Sequence, residues 1–311
     1  MEQASPRIAV IVPCYNAGKT LAETLESVRI QSEPVELVVI DDGSSDGSAD
    51  IARQFSPRVR VVEGPNRGVS SARNRGIAET SAEWLLFLDA DDQLLPETLK
   101  QRLMVAEQAD VIICEYQEMI ENASGVCALG ARRCVDWQRL KSDAEGAIAG
   151  HVWATTAALL YRRSLISRIG GFRPDLPVIQ DARFLFDAAY HGARLVPSDH
   201  VGARYRISPQ SLSRHDPARF WRDVLTNGCQ IETLWRERNV LDENRLNTLR
   251  GSYDQAARGL LAGCDERFFE ATAAGLALGL RPSLHSRIAT PLAQLLGLRA
   301  ARSLLSLARR R

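Results

Sequence analysis

No Asp or Glu follows Glu270, whereas seven arginines do: Arg281, Arg287, Arg299, Arg302, Arg309, Arg310 and Arg311. The net charge of +1 therefore conceals a balance of about −6 over residues 1–270. This argues against nucleic acid as the main partner of the body and confines the basic character to the tail, where an anionic surface is the matching partner. The six cysteines include no C-x-x-C pair, and the N-terminus has neither a basic n-region nor a long apolar h-region. A reducing, cytoplasmic setting is the expectation. No uninterrupted apolar run reaches the roughly 18 residues a bilayer requires, because Arg299 and Arg302 interrupt the Leu-rich C-terminal stretch. Any membrane contact is thus expected to be peripheral, on the inner face. None of His151, His191, His200, His215 and His285 has metal-ligand spacing, so structural or surface roles are expected of them. Internal repeats and low-complexity segments are lacking too.

What is present begins with an alternation of periods. "RIAVIVP", "VELVVID", "VRVVE" and "WLLFLD" are short apolar runs, and helical spacing fills the gaps between them. This predicts an α/β fold with a mostly parallel sheet flanked by helices, the helices running near 19–30, 47–55, 70–79 and 96–109. Strands with loops are expected over 111–135, a helix near 137–149, a strand near 155–161, and a helix in "VIQDARFLFDAAYHG". After "ARYRIS" the pattern is helical throughout. We therefore divide the sequence into residues 1–215 and a helical C-terminal region, 216–311.

In parallel sheets, ligands bind beyond the carboxyl ends of the strands. The polar clusters fall there. "DDGSSDGS" places Asp41 and Asp42 in a turn, where they either satisfy local donors or accept from the N–H of a base. "PCYN" offers Tyr15, a ring for packing or for stacking on a base. "NRGVSSARNRG" brings Arg67, Arg73 and Arg75 to the start of a helix, a setting for phosphate or for a solvated basic face. Asp89, Asp91 and Asp92 in "DADDQ" crowd three carboxylates at one strand end. Mutual repulsion and partial burial penalise that arrangement unless a cation or hydrogen-bonding ligand compensates. A hard ion such as Mn²⁺ or Mg²⁺ suits one or two carboxylates plus diphosphate oxygens.

In their order, "VIVPCYNAG", "VVIDDGSSDGS", "NRGVSSARNRGI", "LFLDADD", "GGFRPDLPVIQD" and "YRISPQSLSR" give the first ~215 residues a resemblance to family 2 glycosyltransferases, inverting enzymes of the GT-A fold. The resemblance implies a nucleotide diphosphate sugar donor, UDP-linked by default, and a saccharide or lipid-linked saccharide acceptor. It also implies that Pro13, Tyr15 and Asp42 hold the uridine, that Arg73 contacts the donor, and that Asp89 and Asp91, with Asp92 beside them, bind metal and diphosphate. Asp181 matches the catalytic base. Two positions depart from the family pattern: Gln180 where Glu is usual, and Ser208 where many relatives have His, which removes a candidate metal ligand. A metal-dependent phosphohydrolase and a noncatalytic nucleotide-sugar binder are the alternatives to a transferase.

Overall fold

The computed structural model describes residues 7–122, 124–208, 211, 216–280 and 284–308. They form two compact units: Met1–Ser142 with Trp153–Pro209, and Asp143–Val152 with Gln210–Arg311. Residues 143–152, which lie before the 215/216 boundary read from the sequence, pack with the second unit.

The first unit is built on one sheet. Strands β1 (Ile8–Cys14), β2 (Val35–Asp41), β3 (Val59–Glu63) and β4 (Trp84–Phe87) lie parallel in the order β3-β2-β1-β4. Helices α1 (Leu21–Arg29), α2 (Ser48–Arg53) and α3 (Val69–Glu79) connect them. Every residue of β1 is buried, as expected of a parallel strand covered on both faces. Each fully buried aliphatic side chain contributes roughly 1.5–3 kcal/mol relative to exposure. Helix α3 lies close against this strand, because a Cβ on Gly76 would sit 2.3 Å from Ile11 Cγ2. Only glycine permits that approach.

Beyond β4 the sheet becomes mixed. It continues through β8 (Leu159–Arg162), β6 (Val111–Glu121), β9 (Leu195–Ile207) and β5 (Gln93–Leu94), with β7 (Cys127–Arg133) paired to β6. β8 is antiparallel to both its neighbours, while β6 and β9 run parallel with register shifts after Cys114 and Glu115. The helix expected over 96–109 is only α4 (Thr98–Leu103), followed by a 3₁₀ turn at Ala106–Gln108. The one expected near 137–149 is two: α5 (Trp137–Ser142) and α6 (Ala144–Ala149). Asp143 separates them by accepting from Gly146 N–H, an N-cap that starts a new helix where the chain passes to the second unit. Helix α7 (Arg163–Ile169), which ends on the left-handed Gly170, was not among the expected elements. Helix α8 (Gln180–Tyr190) packs Phe184 on Phe172 with centroids 4.0 Å apart, and Phe87 of β4 meets both rings edge-on. This aromatic core fixes the start of α8 beside the end of β4.

The second unit is helical: α6 with α9 (Pro217–Glu237), α10 (Glu243–Ala262), α11 (Phe268–Ala277), α12 (Leu284–Leu296) and α13 (Leu298–Ala308). Asp216 and Asp242 cap α9 and α10 by accepting from Arg219 N–H and Arg245 N–H. Within the unit, the Trp235 indole donates to Glu145 at 2.7 Å and the Tyr253 hydroxyl to Glu232 at 2.7 Å. Among the described residues no helix is long and apolar enough to cross a membrane.

Candidate active site

The loops after β1 and β2 are pinned together. The Asn16 side chain accepts from Ser45 N–H at 2.8 Å, and its own N–H donates to Ser44 Oγ at 2.9 Å. Beside this clasp Tyr15 is 54% exposed, a ring open to a ligand. Pro13 is buried within β1, paired with Ile40, and so shapes the strand end rather than a surface. Asp42 is buried and accepts from Arg67 N–H at 2.9 Å and Gly68 N–H at 2.7 Å, tying its loop to the start of α3. Asp41 accepts from Ser44 N–H at 3.1 Å, and its buried Oδ1 has no hydrogen-bond partner among the described residues.

The three arginines of the third loop separate. Arg67 is exposed, and Arg75 donates to the Glu63 carbonyl at 2.8 Å. Arg73 is only 1% exposed. Its guanidinium donates to Asp89 Oδ1 and to Gln180 Oε1 and lies 5.1 Å from the Phe172 ring centroid. Two of its nitrogens thus go to protein acceptors, while its Nε is bonded to none of the described residues. Gln180, the departure from the family pattern, is buried and serves as the neutral partner of that arginine.

The three carboxylates after β4 also diverge. Asp92 is fully buried and turned inward, with Oδ1 accepting from Arg206 N–H at 2.8 Å and Oδ2 from Thr155 Oγ1 at 3.1 Å. Both its oxygens accept from protein donors, yet burial and repulsion from Asp91 and Asp89 raise its pKa well above the ordinary carboxylate range. Asp89 pairs with Arg73, and its Oδ2 accepts from Thr156 Oγ1 at 3.4 Å. Asp91 is partly buried, and among the described residues no side-chain donor bonds its carboxylate. Burial, and then repulsion from Asp89, push its pKa up to about 6 against the pull of Arg206. Among the described residues no three His, Cys, Asp or Glu side chains converge into a metal cage. A partly buried carboxylate pair, in which Arg73 balances Asp89 while burial and Asp89 raise the pKa of Asp91, is nevertheless what a hard ion completing its shell with diphosphate and water would fit.

Asp181 stands in the first turn of α8, partly buried. The Trp153 indole donates to its Oδ2 at 3.2 Å. Burial raises its pKa above the ordinary carboxylate range and Asp89 adds to the rise, while Arg73, Ala182 N–H and Trp153 oppose it. Arg73 thus lies between the strand-end acid Asp89 and the residue preceding Asp181.

Several contributors were not singled out in the sequence. Arg206 donates from Nε to the Asp91 carbonyl at 2.9 Å and from Nη2 to Glu23 at 2.9 Å, holding the acidic turn from below. It lies inside "YRIS", the one signal that could have found it. Trp153, Thr155 and Thr156 had no signal at all. His200 sits between Thr98 Oγ1 at 2.8 Å and Ser198 Oγ at 3.0 Å, and burial with Arg102 nearby lowers its pKa to about 4. It is a neutral structural residue. His215, Arg281 and Arg309–Arg311 lie outside the described residues.

Residues 9–166, just over half of the chain, match the sequence model described as Glycosyl transferase family 2. The chain belongs to this family. It is 27% identical over 253 residues to EpsH of Bacillus subtilis, covering 78% of this chain and 72% of that one. It is 28% identical over 269 residues to the succinoglycan biosynthesis protein ExoU of Rhizobium meliloti, covering 85% and 72%. Staphylococcus aureus TarS 1–349 in complex with UDP-GlcNAc superposes with a TM-score of 0.61 at 18% identity, over 98% of this chain and 92% of that one. At that identity the superposition establishes the GT-A-like fold: a curled α/β sheet flanked by helices and followed by a helical region.

Proposed function

We propose that this family 2 glycosyltransferase is an inverting enzyme that moves a sugar from a nucleotide diphosphate sugar to an acceptor hydroxyl in cell-surface polysaccharide or glycolipid synthesis. The observation that carries the reading is the buried Arg73, which ties the donor-side acid Asp89 to the start of the helix bearing Asp181. In this reading Tyr15 stacks on the base, and Asp42 accepts from the base N–H with the lone pairs its two backbone donors leave. UDP is the default donor, in line with the nucleotide held by the TarS structure. Polysaccharide synthesis is in line with ExoU. Asp89 and Asp91 would hold Mn²⁺ or Mg²⁺, which supplies charge neutralisation at the leaving diphosphate. Asp92 braces the turn beneath them. Asp181 takes the proton of the attacking acceptor hydroxyl, and attack from the face opposite the leaving group inverts the anomeric carbon.

The phosphohydrolase alternative would require Asp89 to leave its ion pair with Arg73 and act as a nucleophile. Gln180, the best support for a noncatalytic binder, has a structural task in its bond to Arg73. A calorimetric screen of UDP, dTDP and GDP with Mn²⁺ and with chelator tests donor class and metal together. One diphosphate should bind at least about tenfold tighter with Mn²⁺. Equal affinity in chelator would remove the metal from the mechanism.

We also propose that the second unit attaches peripherally to an anionic cytoplasmic leaflet and so brings the site to a lipid-linked acceptor. Exposed Ile288, Leu295 and Leu296 beside exposed Arg299 and Arg302 support it.

A further inference from the structure

Four consecutive residues after the chain re-enters the first unit supply three donors to three carboxylates. Trp153 Nε1 donates to Asp181 at 3.2 Å, Thr155 Oγ1 to Asp92 at 3.1 Å, and Thr156 Oγ1 to Asp89 at 3.4 Å. The indole is itself held by aromatic edges. Its centroid lies 6.0 Å from that of Tyr116, at 83°, and 5.5 Å from that of Tyr205, at 72°, while the two tyrosines lie 6.1 Å apart. A rigid ring clamped on two sides restricts where its N–H points.

We propose that Trp153 is a positioning residue for the reaction: its indole N–H fixes Asp181 Oδ2 and thereby presents Oδ1 to the acceptor hydroxyl. This rests on the reading of Asp181 as the base. A carboxylate at the start of a helix can rotate about its last torsion, and one misdirected oxygen lengthens the distance over which the proton must move. The indole N–H can only donate, so it cannot itself take the proton. The charged groups and polar rings around the carboxylate are Arg73 of α3, Asp89 after β4, Tyr161 of β8 and Tyr205 of β9, together with the N–H of Ala182 on α8 itself. Ala182 N–H, like Trp153, bonds it directly, and the others act through space.

The test begins without substrate. The chain has five tryptophans, so ¹⁵N-labelled protein has five indole signals, and Trp153→Phe assigns one of them. That signal is expected to move through a protonation step as pH falls and to lose the step in Asp181→Asn. A signal indifferent to Asp181→Asn overturns the contact. Turnover is then read as slow hydrolysis of the donor selected by the nucleotide screen. Trp153→Phe keeps the ring between the tyrosines and should lower kcat about tenfold with donor KM unchanged. The acid limb of its pH profile should shift to higher pH, since a donor to the charged form has been removed. Trp153→Phe should add nothing in an Asp181→Asn background. Wild-type turnover, or the same loss in that background, would show that the indole only fills space. Should Trp153→Phe fail to fold, benzothienylalanine at this position replaces the N–H with sulfur at constant shape and gives the same readouts. Full turnover by Asp181→Asn alone removes the base reading and with it the catalytic use of the contact, while the indole signal separately reports whether the contact exists.

Discussion

The acidic end of β4 in the first unit and the acid-free end of the second unit carry opposite unbalanced charges, and they differ in how much of that charge the protein balances itself. At the strand end, Asp89 is paired with Arg73 and Thr156, and Asp92 accepts from Arg206 N–H and Thr155, yet burial and mutual repulsion still raise the pKa of both Asp92 and Asp91, and Asp91 alone of the three has no side-chain or backbone donor from another element among the described residues. The remainder suits a single compact cation. In the second unit Arg299 and Arg302 are exposed, with no ion pair to either among the described residues, and exposed leucines flank them. That remainder is spread over a surface and suits an extended anion. In the proposed reading, internal balancing separates a site for one ion from a face for many charges.

The largest effect expected within the acidic region comes from Asp181→Asn. It keeps the shape of the side chain and removes its basicity, so kcat should fall by about two to four decades while donor affinity stays nearly unchanged. If Asp181 were only a polar residue in the first turn of α8, Asn would serve almost as well. Steady-state turnover with the true acceptor decides. Retention of more than about a tenth of wild-type kcat would end the base assignment, being above even the weakest expected loss.

How much of this was legible beforehand follows from where each partner lies in the chain. β1 to β4 and their helices were readable, because β1 and β4, buried on both faces, give continuous apolar runs, the edge strand β3 is still rich in valine, and the connections between them are short. β7 was readable only loosely: it pairs with β6 alone, and all its residues are exposed or intermediate. The strand-end acids were visible as a cluster, but their division of labour was not. Asp92 is set apart by Arg206, 114 residues away, and Thr155, 63 away. Arg73 looked like a phosphate ligand because arginines are seldom buried. Its partners lie 16 and 107 residues off, and only folding brings them to it. Asp181 was legible through family resemblance alone. The donor that holds it, Trp153, sits in a segment without periodicity or charge.

A smaller effect tests the basic side of the comparison. Near an anionic membrane each Arg is worth about 1 kcal/mol, so the Arg299→Glu/Arg302→Glu pair should weaken binding to phosphatidylserine vesicles by more than tenfold at low salt. Neutral vesicles should show no difference. Co-sedimentation gives the result, and equal pelleting of wild-type and doubly reversed protein would reassign the exposed leucines to packing or to a protein partner.

The smallest effect isolates Asp91 through stability. Its folded pKa, pushed up to about 6, lies above the ordinary aspartate value of 3.8, so between those values the native state binds the proton more tightly than the unfolded chain. Ionisation at neutral pH therefore costs stability. The cost is fully present above the folded value and fades as pH falls toward about 4. Asn cannot ionise, so metal-free Asp91→Asn should be more stable than wild type at pH 7.5 by about 1–2 kcal/mol, and the gap should close by pH 4. Asp92→Asn provides the contrast, because burial and the neighbouring carboxylates raise its pKa too, while its two oxygens serve protein donors and an amide would turn an N–H toward one of them. Relief of the ionisation cost and loss of an acceptor oppose each other there, so any gain over wild type at pH 7.5 should be smaller than that of Asp91→Asn. Urea midpoints at the two pH values, measured in chelator, read both. If Asp91→Asn matched wild type at pH 7.5, the carboxylate would already be relieved by protein and solvent, and the claim that this strand end calls for a cation would lose its physical basis.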